Sequence, residues 1–241
     1  MRIAVVGKGG VGKTTIAGTM ARLLGRRGRR VLAVDFDPNP GLELTLGLAR
    51  SDAGLPEEAL EEDPSKPYGW KLASGLTPAD VVSRYSREAP DKVRFLGFGK
   101  IGRPQHDLAK SLTAVRQVVQ DFDEPGWDVI GDIEAGPTTP FEGYHRFAER
   151  ALIVVGPGWT AALTARRLLP LLGAMPSLVV ASRRDDADAG GLPIGARIPY
   201  DACVVEADRR GVAPLDHCPN SPAIGALELL VDQLLSTEVL V

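Results

Sequence analysis

Gly7-Lys8-Gly9-Gly10-Val11-Gly12-Lys13-Thr14-Thr15 follows the apolar run Ile3-Ala4-Val5-Val6 and precedes a helical pattern that begins near Thr14. The stretch fits G-x-x-x-x-G-K-[ST], the phosphate-holding loop between a strand and a helix. Glycines without a Cβ let successive backbone N–H groups turn inward on an anion, and the helix start adds its positive end. In that chemistry Lys13 reaches the β- and γ-phosphates and the Thr14 hydroxyl ligates Mg²⁺. A ligand-free glycine turn would show the same spacing only by chance. The strand before the loop and the helix after it supply the context the motif requires, so Gly7 to Thr15 are expected to bind a nucleotide.

Around this loop the chain alternates short apolar runs with helical spacing. Residues 2–6 read as a strand and 13–24 as a helix, with Ile16, Met20, Leu23 and Leu24 on one buried stripe and Gly25 and Gly28 ending it. Further strands are predicted at 31–34, 92–97, 127–132, 151–155, 178–181 and 194–198, and further helices at 77–85, 107–122, 160–172 and 222–235. Thr77-Pro78 reads as an N-cap followed by proline at the first helical position. This order predicts an α/β fold, a P-loop NTPase with a mostly parallel central sheet flanked by helices on both faces. No linker splits the chain, so residues 1–241 are expected to form one domain. Within it, about 48–91 is a variable insertion that is acidic and proline-bearing between Ser51 and Tyr68.

The 241 residues carry a net charge of −3, with 44% hydrophobic and 24% charged residues. Such a balance gives no electrostatic footprint for nucleic acid or for an anionic membrane. The Arg26-Arg27-Gly28-Arg29-Arg30 cluster fits a helix C-terminus, where cations complement the negative end. No apolar stretch reaches the roughly 18 residues of a membrane span. Residues 225–241 carry Glu228, Asp232 and Glu238 but no Lys or Arg, against an interfacial membrane helix. Met1-Arg2-Ile3-Ala4 runs straight into the first strand without a signal-peptide layout, so a cytoplasmic location is expected.

Hydrolysis needs Mg²⁺ held in place and a water aimed in line at the γ-phosphorus, and three strand-end carboxylates are candidates. Asp132 closes the run Trp127-Asp128-Val129-Ile130-Gly131 and is expected opposite Thr14. Asp35 and Asp37 alternate at the end of the second strand, so their side chains point the same way if strand geometry persists. Both acids could hold the metal, or Pro38 could start a turn that takes Asp37 away.

Lys8, the second residue of the loop, is not required by the general motif. With it the loop resembles the K-G-G-x-G-K-[ST] signature of the deviant Walker A, MinD/ParA-type P-loop ATPases. That group also includes the nitrogenase iron protein and the nickel-insertion accessory ATPases of carbon monoxide dehydrogenase. The resemblance implies ATP/ADP and Mg²⁺ as ligands, and an ATP-sandwiched homodimer in which Lys8 crosses to the partner subunit's nucleotide. It assigns Lys8, Lys13 and Asp37 to catalysis, with Asp37 orienting the attacking water, and Thr14, Asp35 and Asp132 to the magnesium site.

Asp132-Ile133-Glu134-Ala135-Gly136 is similar to the second switch of the group, where the Gly136 N–H would sense the γ-phosphate. Pro199, Tyr200 and Asp201 would flank the adenine, and Ser182 stands where relatives carry an Asn. The closest pattern is that of the nickel-accessory and iron-protein branches, but their metal-binding cysteines are missing. The chain's two cysteines, Cys203 and Cys218, lie elsewhere, so no iron–sulfur cluster is expected. The function implied is a slow, partner-stimulated ATP hydrolase. It would be a dimerisation switch that assists maturation or metal loading of a client metalloenzyme. The alternatives are a positioning or partition ATPase acting on DNA, membrane or a large assembly, and a nucleotide-gated binding module with little turnover.

Overall fold

The computed structural model describes residues 1–37, 41–51, 54–66, 69–97, 105–134, 143–183 and 190–238, with the side chains of 105–109 and 238 left aside. Its strands are β1 (Arg2–Gly7), β2 (Arg30–Phe36), β3 (Leu60–Glu62), β4 (Trp70–Leu72), β5 (Arg87–Ala89), β6 (Val93–Gly97), β7 (Trp127–Ile133), β8 (Arg150–Val155), β9 (Ser177–Ser182) and β10 (Ile194–Ile198). The helices are α1 (Lys13–Arg26), α2 (Leu42–Thr45), α3 (Pro78–Tyr85), α4 (Gln105–Asp121), α5 (Trp159–Leu172), α6 (Ala202–Arg210), α7 (Pro214–His217) and α8 (Pro222–Glu238).

Eight strands make one sheet in the order β10-β9-β8-β1-β7-β2-β6-β5, parallel throughout except where β5 runs antiparallel to β6 at the edge. The central strands are buried on both faces, which is why their sequences read as unbroken apolar runs rather than alternating ones. β1 lies between β7 and β8, so the loop after β1 opens at the carboxyl edge of the middle of the sheet. There β2 and β7 run side by side with Asp35 opposite Asp132. That edge is where open α/β sheets hold ligands.

Most predicted elements are present within one to three residues of their predicted ends. One helix end differs for a clear reason. Gly25 does not stop α1 but sits inside it, pressed against the Asp91 carbonyl, which leaves no room for a Cβ. Termination falls to Gly28, in the left-handed region with φ +88°. The Arg cluster around this turn is tied down within the chain. Arg27 pairs with Asp232 at 2.6 Å, Arg29 with the buried Asp128 at 2.6 Å, and Arg30 lies over the Trp127 ring at 5.3 Å.

The 48–91 segment is more ordered in pattern than its composition suggests. It contributes the β3–β4 hairpin, α3 and the edge strand β5. Thr77 makes a capping box with Asp80, each side chain accepting from the other residue's N–H, and Pro78 opens the helix. Thr77→Ala is expected to lower stability by about 1 kcal/mol, read as a shift of the urea midpoint at constant slope. At the other end of the chain α8 turns Leu227, Leu230, Val231 and Leu234 inward, all buried, while Leu229 stands 72% exposed.

Candidate functional site

The phosphate loop takes its shape from where β1 stops. At Gly7 any Cβ would strike the Val154 carbonyl of β8, so only glycine lets the chain leave the sheet there. Gly12, with φ +94°, is the N-cap of α1 and brings no side chain to that cap. The first turn of α1 also lacks acidic residues, so its N–H groups stay open to an outside anion. Lys13 is folded into this loop at 7% exposure, with Nζ 3.5 Å from the Lys8 carbonyl. Lys8 behaves differently. It lies on the exposed rim and its Nζ donates to Thr160 Oγ1 at 2.8 Å, at the start of α5. The neighbouring Trp159 is 64% exposed.

Beneath the loop, Asp35 and Asp132 face each other on β2 and β7, each only 1% exposed. Burial, and then the charge of Asp35, push the Asp132 carboxyl well above the usual range against the Thr14 hydroxyl bond and the nearby Lys13. Burial raises Asp35 as well, resisted by three backbone N–H groups. Asp35 accepts from Asp37 N at 2.9 Å, from Gly41 N at 3.1 Å and from Leu42 N at 3.0 Å. Its carboxylate therefore gathers the chain after β2 onto α2. Asp132 is served less completely, since its Oδ1 is buried without a hydrogen-bond partner.

Two buried carboxylates on adjacent strands, one of which, Asp132, has an open oxygen and the Thr14 hydroxyl beside it, suit a divalent cation. Mg²⁺ takes one or two protein ligands and completes its shell with waters and phosphate oxygens. Among the described residues no group of three or more His, Cys, Asp or Glu forms a closed metal cage. β2 ends at Phe36, so the alternation expected of Asp35 and Asp37 does not carry past the strand. Asp37 instead lines the open cavity beside Lys13 and Thr14, whereas Asp35 lies beneath it.

That cavity, about 430 Å³, runs from Gly9, Gly10, Gly12 and Thr15 to a second wall made by the ends of β9 and β10 with α6 and α8. Ser182 is buried and lines it, its Oγ 3.2 Å from where a Cβ on Gly12 would stand. Arg183 follows in the left-handed region, φ +54°. Its N–H donates to the Ile198 carbonyl at 2.8 Å and its Nη2 to the Gly10 carbonyl, bracing the far wall against the phosphate loop.

Pro199 and Asp201 line the cavity, but Tyr200 does not and is 58% exposed. Asp201 is taken up in structure. Although burial pushes its carboxyl up, bonds from Ser221 and from the N–H groups of Ala223, Cys203 and Val204 hold it below the ordinary carboxylate range. It thereby caps α6 and α8 together. The slot behind it is apolar, built from Ile198, Val204, Val205, Ala223, Ile224 and Leu227. Sequence reasoning missed the α6 part of this wall, although Asp201 as N-cap and Gly211 at φ +64° bracket that helix. Gly136 and Ala135 lie outside the described residues, as does Pro38.

A phosphate loop, two buried acids and an apolar slot in one cleft are the parts of a nucleotide site. Residues 3–137 match the CobQ/CobB/MinD/ParA nucleotide binding domain. The chain belongs to this family.

Solved structures of MinD and ParA proteins share its architecture. The chain is similar to the carbon monoxide dehydrogenase accessory protein CooC of Rhodospirillum rubrum, 29% identical over 91% of each chain. An uncharacterized ATP-binding protein of Methanocaldococcus jannaschii is also 29% identical, over 88% of this chain and 90% of that one. Among solved structures, the septum site-determining protein MinD of Pyrococcus horikoshii, complexed with Mg-ADP, superposes with a TM-score of 0.72. It is 20% identical over 97% of this chain and 95% of that one. A ParA family ATPase of Chlorobium tepidum gives a TM-score of 0.70 at 17% identity, covering 95% and 97%. At these identities the structural likeness concerns the fold. Among the described residues of this family member, no helix is long and apolar enough to cross a membrane.

Proposed function

We propose that the chain is a Mg²⁺-dependent ATPase that works as an ATP-driven dimerisation switch, and that its client is a metalloenzyme it helps to mature or load with metal. The observation that carries the switch is the placement of Lys8. Lys13 lies within the phosphate loop, so a second lysine is not needed there, and Lys8 is held at the rim by Thr160. A flexible ammonium at an exposed edge is suited to reach a nucleotide held by a second copy of the chain.

In the cycle we infer, the α1 N–H groups and Lys13 take the phosphates while the apolar slot takes the base. Thr14 and Asp132 hold the metal ion, which when bound supplies positive charge against the developing charge on the γ-phosphate. Asp35 fixes the loop that carries Asp37, and Asp37 orients the attacking water. Gly136 would report the γ-phosphate. Ser182, Pro199 and the α6–α8 wall would hold the adenine. Hydrolysis is slow until the client or the second protomer completes the site.

The client class rests on the likeness to an accessory protein of carbon monoxide dehydrogenase, which spans nearly the whole of both chains. The 48–91 segment, with its hairpin and edge strand, is the face we assign to the client. A partition-type role on DNA would call for an open basic surface, yet Arg26, Arg27, Arg29 and Arg30 are engaged inside the chain. Affinity capture with ATP-loaded Asp37→Ala protein tests the client. Retention of an apo-metalloenzyme that is lost when ADP replaces ATP is the expected result, and retention of DNA or vesicles instead would refute it.

Thr160→Val tests the tether. A hydrogen bond to a charged group contributes about 1.5–3 kcal/mol where it is buried and less at an exposed rim. Releasing Lys8 is therefore expected to tighten ATP-dependent dimerisation about three- to tenfold in sedimentation equilibrium. No change would show that the tether does not oppose the dimer.

A further inference from the structure

A cleft of about 270 Å³, sharing no residue with the nucleotide cavity, opens between α4, the β3–β4 hairpin and Tyr144. Thr113, Arg116, Gln117 and Gln120 recur at three- and four-residue spacing, so they line it from one face of α4, with Trp70 and Tyr144 as aromatic walls. Each wall carries a cation. Lys110 Nζ lies 3.8 Å from the centre of the Trp70 ring, and the Arg116 guanidinium carbon lies 4.9 Å from that of Tyr144, which is itself only 3% exposed. Attraction to a ring face orients such a group before any anion arrives. Lys66 adds a third cation in the lining.

This charge is not neutralised within the chain. Among the described residues, none of Lys66, Lys110 and Arg116 makes an ion pair. The hairpin acids Glu61 and Asp63 are taken by Lys71, at 2.9 and 3.7 Å, and Glu62, opposite Trp70 in the register, does not line the cleft. Asp121 is the one acid among the described lining residues, and it is exposed. Gln117 Oε1 already accepts from Leu72 N at 3.2 Å, so the end it offers an occupant is its donating NH₂. What remains for a ligand is a set of donors with net positive charge. The volume falls below the roughly 300–1,000 Å³ of ordinary small-molecule sites and suits one large side chain whose backbone passes outside.

We propose that this cleft docks an acidic segment of the protein client, with one aromatic side chain entering beside Trp70 while carboxylates on either side of it meet Arg116, Lys66 and Lys110. The docking rests on the reading of 48–91 as the client face, since Lys66 and Trp70 belong to that segment, and it gives the chemistry of what the client brings. Arg116 supplies a fork that a carboxylate can accept from twice, which a lone surface lysine cannot do. Trp70 supplies apolar area next to it, so charge and shape are read together, as in other sites that recognise acidic motifs through clustered cations. Because Lys66 and Gln120 are exposed, binding is screened by salt.

The test titrates the full chain into a fluorescein-labelled EEFEE peptide, with QQFQQ as the neutral control, and follows anisotropy at low salt. The expected result is saturable binding of EEFEE that weakens at least about tenfold in Arg116→Gln and about threefold in Lys66→Gln, with QQFQQ at least about tenfold weaker on the parent chain. Lys66 is exposed, so its variant still reports on the cleft if Arg116→Gln fails to fold. Equal binding of the two peptides, affinity indifferent to both substitutions, absence of saturable binding, or displacement of EEFEE by inorganic phosphate at equal concentration overturns the proposal. The cleft and the client can fail separately. Capture of an apo-metalloenzyme by Asp37→Ala protein that persists undiminished when Arg116→Gln is added overturns the cleft and keeps the client, whereas EEFEE binding with no client captured overturns the client and keeps the cleft.

Discussion

Lys13→Ala protein is expected to lose ATP and ADP binding, with affinity reduced at least about 100-fold in calorimetric titration. The ammonium is held inside the loop at 7% exposure, where a charge-assisted bond to a phosphate oxygen is worth about 1.5–3 kcal/mol and more than one such bond forms. The fold should survive the change. The one bond Lys13 Nζ makes within the loop is a 3.5 Å contact with the Lys8 carbonyl, so the nucleotide-free melting temperature should move little. Unchanged nucleotide affinity would show that the cavity beside the loop is not the phosphate site.

Asp132→Asn is expected to separate stability from activity in opposite directions. In the metal-free protein Asp132 faces Asp35 across the β2–β7 pair, both fully buried, with Oδ1 unpartnered. Replacing one carboxylate with an amide of the same shape removes like-charge repulsion and the cost of burying a charge, so the metal-free variant should melt higher than the parent. Turnover should fall by at least about 10²-fold, because charge stabilisation by the metal ion contributes several kcal/mol to such transition states. Mg²⁺ should also cease to strengthen ADP binding. A variant that keeps Mg²⁺-dependent turnover would remove Asp132 from the metal site, and a lower melting temperature would show that its charge is compensated in the metal-free fold.

The parts of this site that were legible in the sequence are those where the backbone itself does the work. Gly7 and Gly12 are needed for a close approach and a left-handed turn, and those needs leave a fixed spacing in the chain. The place of Asp132 was legible because an apolar run leads into it, and its reading as a metal ligand leans on the phosphate loop, since an acid at a strand end commonly caps the next helix. Asp35 was assigned to the metal from resemblance. That three N–H groups converge on it is a tertiary fact which its neighbours Val34 and Phe36 do not announce.

The α6 wall of the cavity was hidden for a physical reason. In α6 only Ala207 is buried, because the face carrying Val204, Val205 and Asp208 looks into an open cavity. A helix face kept for a ligand has no buried stripe, so the period that marks a core helix is absent. Tyr200 shows the converse, since a residue adjacent to two cavity-lining neighbours can still point outward. The three-residue strands β3, β4 and β5 were also unreadable, being too short for alternation to register.

The dimerisation switch is tested most directly by sedimentation velocity of the parent chain and of Lys8→Ala, each with Mg²⁺ and a non-hydrolysable ATP analogue. The parent chain is expected to sediment as a dimer with the analogue and as a monomer with ADP. Lys8→Ala should bind the analogue with unchanged affinity yet remain monomeric. A Lys8→Ala protein that dimerises as the parent does, or a parent chain that stays monomeric at saturating analogue, would contradict the cross-subunit role of Lys8.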